Sequence, residues 1–155
     1  MKNLKDFLFQ QGYYRVKLKK TATNHFEIQA KINHVKGTFI VDTGASNSCV
    51  GFDEIDFFNL QTKASEHKAS GAGSTEIETR ISKKNKLQVG KFKIKKLTLI
   101  LIDLSHINIA LTKQKANPVK GIIGADILHK GKAIIDYNKK YLYLLDKNHY
   151  HDRIQ

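Results

Sequence analysis

Phe39-Ile40-Val41-Asp42-Thr43-Gly44-Ala45-Ser46 runs three apolar residues directly into a carboxylate and then into a bend. Three apolar residues in a row read as the end of a strand buried on both faces, which places Asp42 where a carboxylate is expected to be buried. An ionised acid out of water costs several kcal/mol or more unless it is paired, hydrogen-bonded or protonated. Thr43 supplies a hydroxyl at once, and Gly44 lets the backbone turn sharply enough to aim an amide N–H at the acid. Taken alone, the string is also what an Asx turn closing a strand looks like.

A second stretch narrows the choice. Gly121-Ile122-Ile123-Gly124-Ala125-Asp126-Ile127-Leu128 places an apolar pair before a glycine and a short helix-like run after it. With Asp42-Thr43-Gly44-Ala45 and a Gly71-Ala72-Gly73 turn between, the order of these anchors resembles the retropepsin-like (retroviral-type) aspartic proteases, over roughly residues 14–145. The resemblance implies an all-β fold: a single pepsin-like lobe, a closed β-barrel with one or two short helices and a flap hairpin. It divides the chain into an amino-terminal extension (1–13) with a short helix, a protease domain (14–146) and a polar tail (147–155).

The chemistry implied is hydrolysis of a polypeptide by water activated between two carboxylates. Only one Asp-Thr-Gly is present, so the resemblance implies a homodimer that contributes Asp42 twice across a two-fold axis. Thr43 is then expected to bond across to the opposite lobe, and Gly44 to donate its amide to the carboxylate. Ala45 stands where pepsin-like lobes commonly carry a hydroxyl, so the ionised pair has one donor fewer and the reaction is expected in mildly acid to near-neutral conditions. Gly71, Ala72 and Gly73 are the expected flap tip over the substrate, with Ala45 below it. Neither a metal nor an organic cofactor is implied.

Composition bounds the rest. A chain of 155 residues with 41% hydrophobic content suffices for one core. Its single cysteine, Cys49, has no partner for an internal disulfide and no basic neighbour in sequence, so it reads as a small core residue. No apolar run is long enough for a membrane span, and the expectation is a cytoplasmic protein of a reducing compartment without a membrane partner. Basic residues outnumber acidic ones 27 to 14, for a net charge of +13. Such a balance attracts polyanions. Lys91, Lys93 and Lys95, however, alternate with Phe92 and Ile94 as on a solvated sheet face, and no nucleic-acid-binding module is recognisable, so no nucleic-acid partner is expected.

Along the chain, Asn3 caps an amphipathic helix through Leu8 that Gly12 ends. Tyr14 to Leu18 and Phe26 to Ile32 alternate as two strands of a hairpin, Asn33-His34 turns the chain, and Val35 to Asp42 forms the third strand. A short helix is expected over 53–59, a hairpin with a glycine tip over 68–81, strands through Leu87–Val89 and Leu97–Ile102, and a surface loop over 104–120. Ala125 to Lys130 reads as a helix ended by Gly131 in the left-handed conformation. Ala133 to Tyr137 and Tyr141 to Leu145 read as a last hairpin. Asp126 is expected to flank its helix and Asp136 to sit in a strand, neither paired with Asp42.

Two readings of other classes stand beside the protease. One is the same barrel as a catalytically silent binding or dimerisation module, since fold does not fix function. The other is a basic nucleic-acid-binding domain, whose salt-dependent association would survive Asp42→Asn.

Overall fold

The computed structural model describes residues 3–64, 69–70 and 76–146. In chain order the elements are α1 (Leu4–Gln10), β1 (Tyr13–Lys17), β2 (Lys19–Lys20), β3 (Phe26–Ile32), β4 (Val35–Val41), β5 (Cys49–Gly51), a 3-10 turn (Phe52–Glu54), β6 (Lys63–Ala64), β7 (Ala69–Ser70), β8 (Glu76–Ile77), β9 (Arg80–Val89), β10 (Phe92–Ile102), α2 (Ser105–Lys113), β11 (Gly121–Ile123), α3 (Ala125–Lys130), β12 (Ile134–Asp136) and β13 (Tyr141–Leu145). The main sheet runs β2-β3-β4-β11-β5-β10-β9-β6, and a further pairing of β3 with β9 closes β3, β4, β11, β5, β10 and β9 into a barrel. The expected all-β barrel with few short helices is therefore the fold.

Local chemistry sets the joints. Asn33 and His34 adopt φ of 50° and 70°, the paired left-handed conformations of a two-residue hairpin turn, and Ile32 duly faces Val35. Asn3 caps α1 by accepting the Asp6 N–H at 2.9 Å, and Gly12 leaves the helix at φ 92°. On β10 the inward set shifts from Phe92 and Ile94 to Leu97, Leu99 and Leu101 across a bulge at Lys95-Lys96 that keeps every lysine outside. Ile28, Ile32, Phe39, Val50, Leu99 and Leu101 fill the barrel, and Phe58 closes it by stacking on Phe39 at 5.9 Å between ring centres.

Four expectations need correcting. Residues 52–59 form a 3-10 turn and further turns rather than an α-helix; Gly51 offers no side chain to cap one, and Asn59 turns left-handed at φ 54°. The expected loop over 104–120 contains α2, whose Leu111 joins Val119, Ile107 and Ala116 against Ile40 and Ile122. β1 pairs with β13 along its whole length instead of forming a hairpin with β3, leaving only β2 at that hairpin. Gly131 ends α3 at φ −85°, not left-handed. It is needed for space, since a Cβ there would lie 2.6 Å from Leu144 Cδ2, and the left-handed residue is the next one, Lys132, at φ 44°.

Candidate active site

β4 ends at Val41, and the chain loops through residues 42–48 into β5. Between those two strands lies β11, parallel to β4 and antiparallel to β5, with Ile122 opposite Ile40 and Ile123 opposite Val41. Insertion of a distant strand between two consecutive ones fixes the loop from both sides. The Asp42 N–H donates to the Ile123 carbonyl at 2.9 Å, continuing the ladder one residue past the strand. The Gly44 N–H donates to Asp42 Oδ1 at 2.9 Å, and the Ala45 N–H to the Asp42 carbonyl at 3.2 Å, so the loop closes as an Asx turn.

Beyond the turn, α3 is locked onto the loop. The Ala125 N–H donates to the Ala45 carbonyl at 2.7 Å. A Cβ on Gly124 would lie 2.6 Å from that same carbonyl oxygen, closer than any side chain tolerates. Ser48, buried, donates both its amide (2.9 Å) and its hydroxyl (2.6 Å) to Asp126 Oδ1, while its hydroxyl oxygen accepts the Gly124 N–H at 2.8 Å. Asp126, expected only to flank its helix, thus holds the loop through Ser48. The sequence carried a signal for this pair: a small hydroxyl residue just before Cys49-Val50, and an acid two residues after the glycine of the second stretch.

The expectation of burial fails for the acid itself. Asp42, Thr43 and Gly44 are exposed in the single chain, and burial of the strand stops at Ile40. The physical reason lies in the loop: β4 delivers Asp42 to the barrel's surface, where Gly44 turns the chain without covering the carboxylate. Among the described residues the Thr43 hydroxyl makes no hydrogen bond, and Thr43 lines a groove of about 930 Å³ together with the apolar Phe92, Ile94, Ala125, Leu128, Ile135 and Leu145 and the charged Lys93, Lys130, Lys132 and Asp146. Ala45 is half-buried, its backbone bonded on both sides. Gly71, Ala72 and Gly73 lie outside the described residues; Ala69↔Ile77 and Ser70↔Glu76 pair on either side of them.

Among the described residues no second acid joins Asp42. Asp126 is engaged by Ser48, and Asp136 accepts the Lys139 N–H at 2.9 Å. Behind the loop, burial pushes the Cys49 thiol up to about 12, which keeps it protonated and unreactive, as a core residue should be. Among the described residues no group of three or more His, Cys, Asp or Glu side chains is placed to hold a metal ion, and no helix is long and apolar enough to cross a membrane.

A family model described as aspartyl protease matches residues 28–127, from β3 through the Asp42 loop to α3. The chain belongs to the aspartyl protease family. Solved structures agree on the fold of this family member. It is similar to a retropepsin-like aspartic protease from Rickettsia conorii, at 21% identity over 86% of this chain and 89% of that one, with a TM-score of 0.56. EIAV protease complexed with the inhibitor HBY-793 aligns at 20% identity over 71% of this chain and 90% of that one, TM-score 0.54. The retroviral protease-like domain of Ddi1 from Leishmania major aligns at 17% identity over 81% and 90%, TM-score 0.52. No curated protein matches this aspartyl protease family member in sequence.

Proposed function

We propose that the chain is an aspartic endopeptidase that acts as a homodimer, with Asp42 of each copy forming the pair that activates water. The observation that carries this reading is the state of Asp42: one oxygen is held by the Gly44 N–H, and the side chain is open at the end of β4 in an aspartyl-protease-family barrel. One carboxylate cannot both take a proton from water and hydrogen-bond the peptide carbonyl, and the other acids near it are engaged elsewhere. A two-fold axis beside Thr43 supplies the second. The Thr43 hydroxyl, which makes no hydrogen bond among the described residues, is then available to bond the opposite copy, and the apolar residues of the groove beside it, set among Lys93, Lys130 and Lys132, offer that copy a face to cover.

The reaction needs no added group. The ionised member of the pair takes a proton from water as its oxygen bonds to the peptide carbon, and the protonated member donates to the carbonyl oxygen. Collapse breaks the C–N bond, and the departing amine takes a proton from the pair. The substrate is an extended polypeptide held by strand-like main-chain bonds, with Gly71, Ala72 and Gly73 as the tip of the flap that closes over it. The protease domain occupies 14–146, between a short extension and a polar tail.

The exposure of Asp42 in the single chain also favours a second reading, a binding or dimerisation module without turnover, because a protomer that never pairs has no such chemistry. One experiment separates them. A mixed peptide library is incubated with the wild-type chain and with Asp42→Asn at equal concentration, and the solution mass of each is recorded. Cleavage by the wild-type dimer alone is expected; identical products from both proteins, or none from either, would end the protease reading.

A further inference from the structure

The sheet register brings lysines of different strands side by side on one outer face. Lys36 of β4 lies directly opposite Lys31 of β3, Lys31 opposite Gln88 of β9, and Gln88 opposite Lys93 of β10. Directly opposed residues project from the same face, so the four form one row across four neighbouring strands, about 14 Å long at about 4.8 Å per strand. Lys31, Lys86, Lys93 and Lys95, with His34 and Gln88, also line one small concavity of about 90 Å³ that no Asp or Glu enters. Lys31 and Lys36 are exposed and, among the described residues, form no ion pair.

Like charges placed directly opposite one another weaken a sheet. A short hairpin that sets Lys31 against Lys36, with further lysines on the adjacent strands, carries a repulsion that an anion lying across the row relieves. The row points to a particular class of anion. It holds lysine point charges and no arginine fork for bidentate phosphate recognition, and no aromatic ring on which a base would stack. Amide and hydroxyl side chains continue the face: Gln29 donates to Thr38 at 2.7 Å in the next rung. The row is also tied to the proposed cleft by β4, which carries Lys36 near one end and leads into Asp42 at the other. At the rise of a strand these are about 20 Å apart, a span that about six extended residues of a bound polypeptide cover.

We infer that the Lys36–Lys31–Gln88–Lys93 row is an exosite for an acidic segment of the substrate polypeptide, lying some six or more residues from the bond that is cut. The inference rests on the proteolytic reading of Asp42 for the word substrate, and on the register of the sheet for the site itself. Binding there is charge-driven and weakens with salt, and it raises kcat/KM through KM.

The test uses the full chain. In the Asp42→Asn background, fluorescence anisotropy follows a labelled peptide with a tract of about six Glu, the same peptide with Gln in their place, and a phosphodiester oligonucleotide of equal charge. The Glu peptide is expected to bind about ten-fold or more tighter than the Gln peptide, and Lys31→Glu with Lys86→Glu, both lining the concavity and neither lining the Thr43 groove, is expected to remove that preference. Lys31→Glu sets an acid opposite Lys36, so thermal melting is expected to show the variant folded. Equal binding of the Glu and Gln peptides, a preference that survives in the variant, or tighter binding of the oligonucleotide would overturn the exosite. With Asp42 intact, the variant should lose kcat/KM only on a substrate carrying the Glu tract, through KM. No cleavage of either substrate, with the lysine-dependent binding intact, would overturn the proteolytic reading instead.

Discussion

The Ser48 hydroxyl stands between Asp126 and Gly124, donating to the first at 2.6 Å and accepting from the backbone of the second at 2.8 Å. One buried side chain thus fastens the loop that carries Asp42 to the start of α3. Removing the acid leaves the Ser48 amide and hydroxyl without their acceptor. Asp126→Ala is expected to lower stability by about 1–3 kcal/mol, the cost of buried donors left unmade. Urea midpoints for Asp126→Ala, Ser48→Ala and the double variant check this. A double variant no worse than Asp126→Ala alone would mark the two residues as one unit.

Gly124→Ala is expected to be more severe than its single methyl suggests. The added carbon would lie 2.6 Å from the Ala45 carbonyl oxygen, and the neighbour that must yield is backbone of the Asp42 loop. Overpacking of this kind costs about 1–3 kcal/mol even where side chains yield. The expected outcome is a lower melting temperature together with loss of whatever activity Asp42 supports. A melting curve matching that of the wild type would contradict the close approach.

Cys49 makes stability fall in alkali. Its ordinary value is 9.0, and burial raises it to about 12 in the folded chain. A raised value means that the stability contributed by the neutral thiol is fully present below pH 9.0 and is lost as pH rises towards about 12. Cys49→Ala is expected to flatten that decline in a series of urea midpoints. At neutral pH an aromatic disulfide reagent should modify the thiol only as fast as the chain opens.

Asp103 sets the opposite trend at the start of α2. Its carboxylate accepts from both the hydroxyl and the amide of Ser105, and these bonds hold it below its ordinary value of 3.8. A depressed value means that the stability contributed by the ionised form is present above pH 3.8 and is lost as pH falls through the folded value. The protection factors of the first α2 amides, which correct for the intrinsic pH dependence of exchange, are expected to fall in acid, and in Asp103→Ala to be low already at neutral pH.

Much of this architecture could be read from local chemistry. The Asn3 cap, the Asn33-His34 turn, α3 and the amide bond from Gly44 to Asp42 each depend on residues close together in sequence. The failures share one cause, dependence on partners that sequence proximity does not reveal. The sequence of α2 reads as a polar loop because Lys113, Lys115 and Pro118 dominate its neighbourhood, yet Leu111 finds Ile40 and Ile122. Adjacency in sequence assigns β1 to β3, yet β1 pairs with β13. The strand before Asp42 is buried and suggests burial of the acid too, but cover for a strand end comes from whatever packs on it, and among the described residues nothing does.

The insertion of β11 between β4 and β5 also orders events in time. Ile40 meets Ile122 only after most of the chain has been made, and closure of so long a loop is slow. A growing chain on the ribosome therefore carries the Asp42 segment unassembled until the final third has emerged. Should the protein cut polypeptides, its own synthesis is shielded from it by topology.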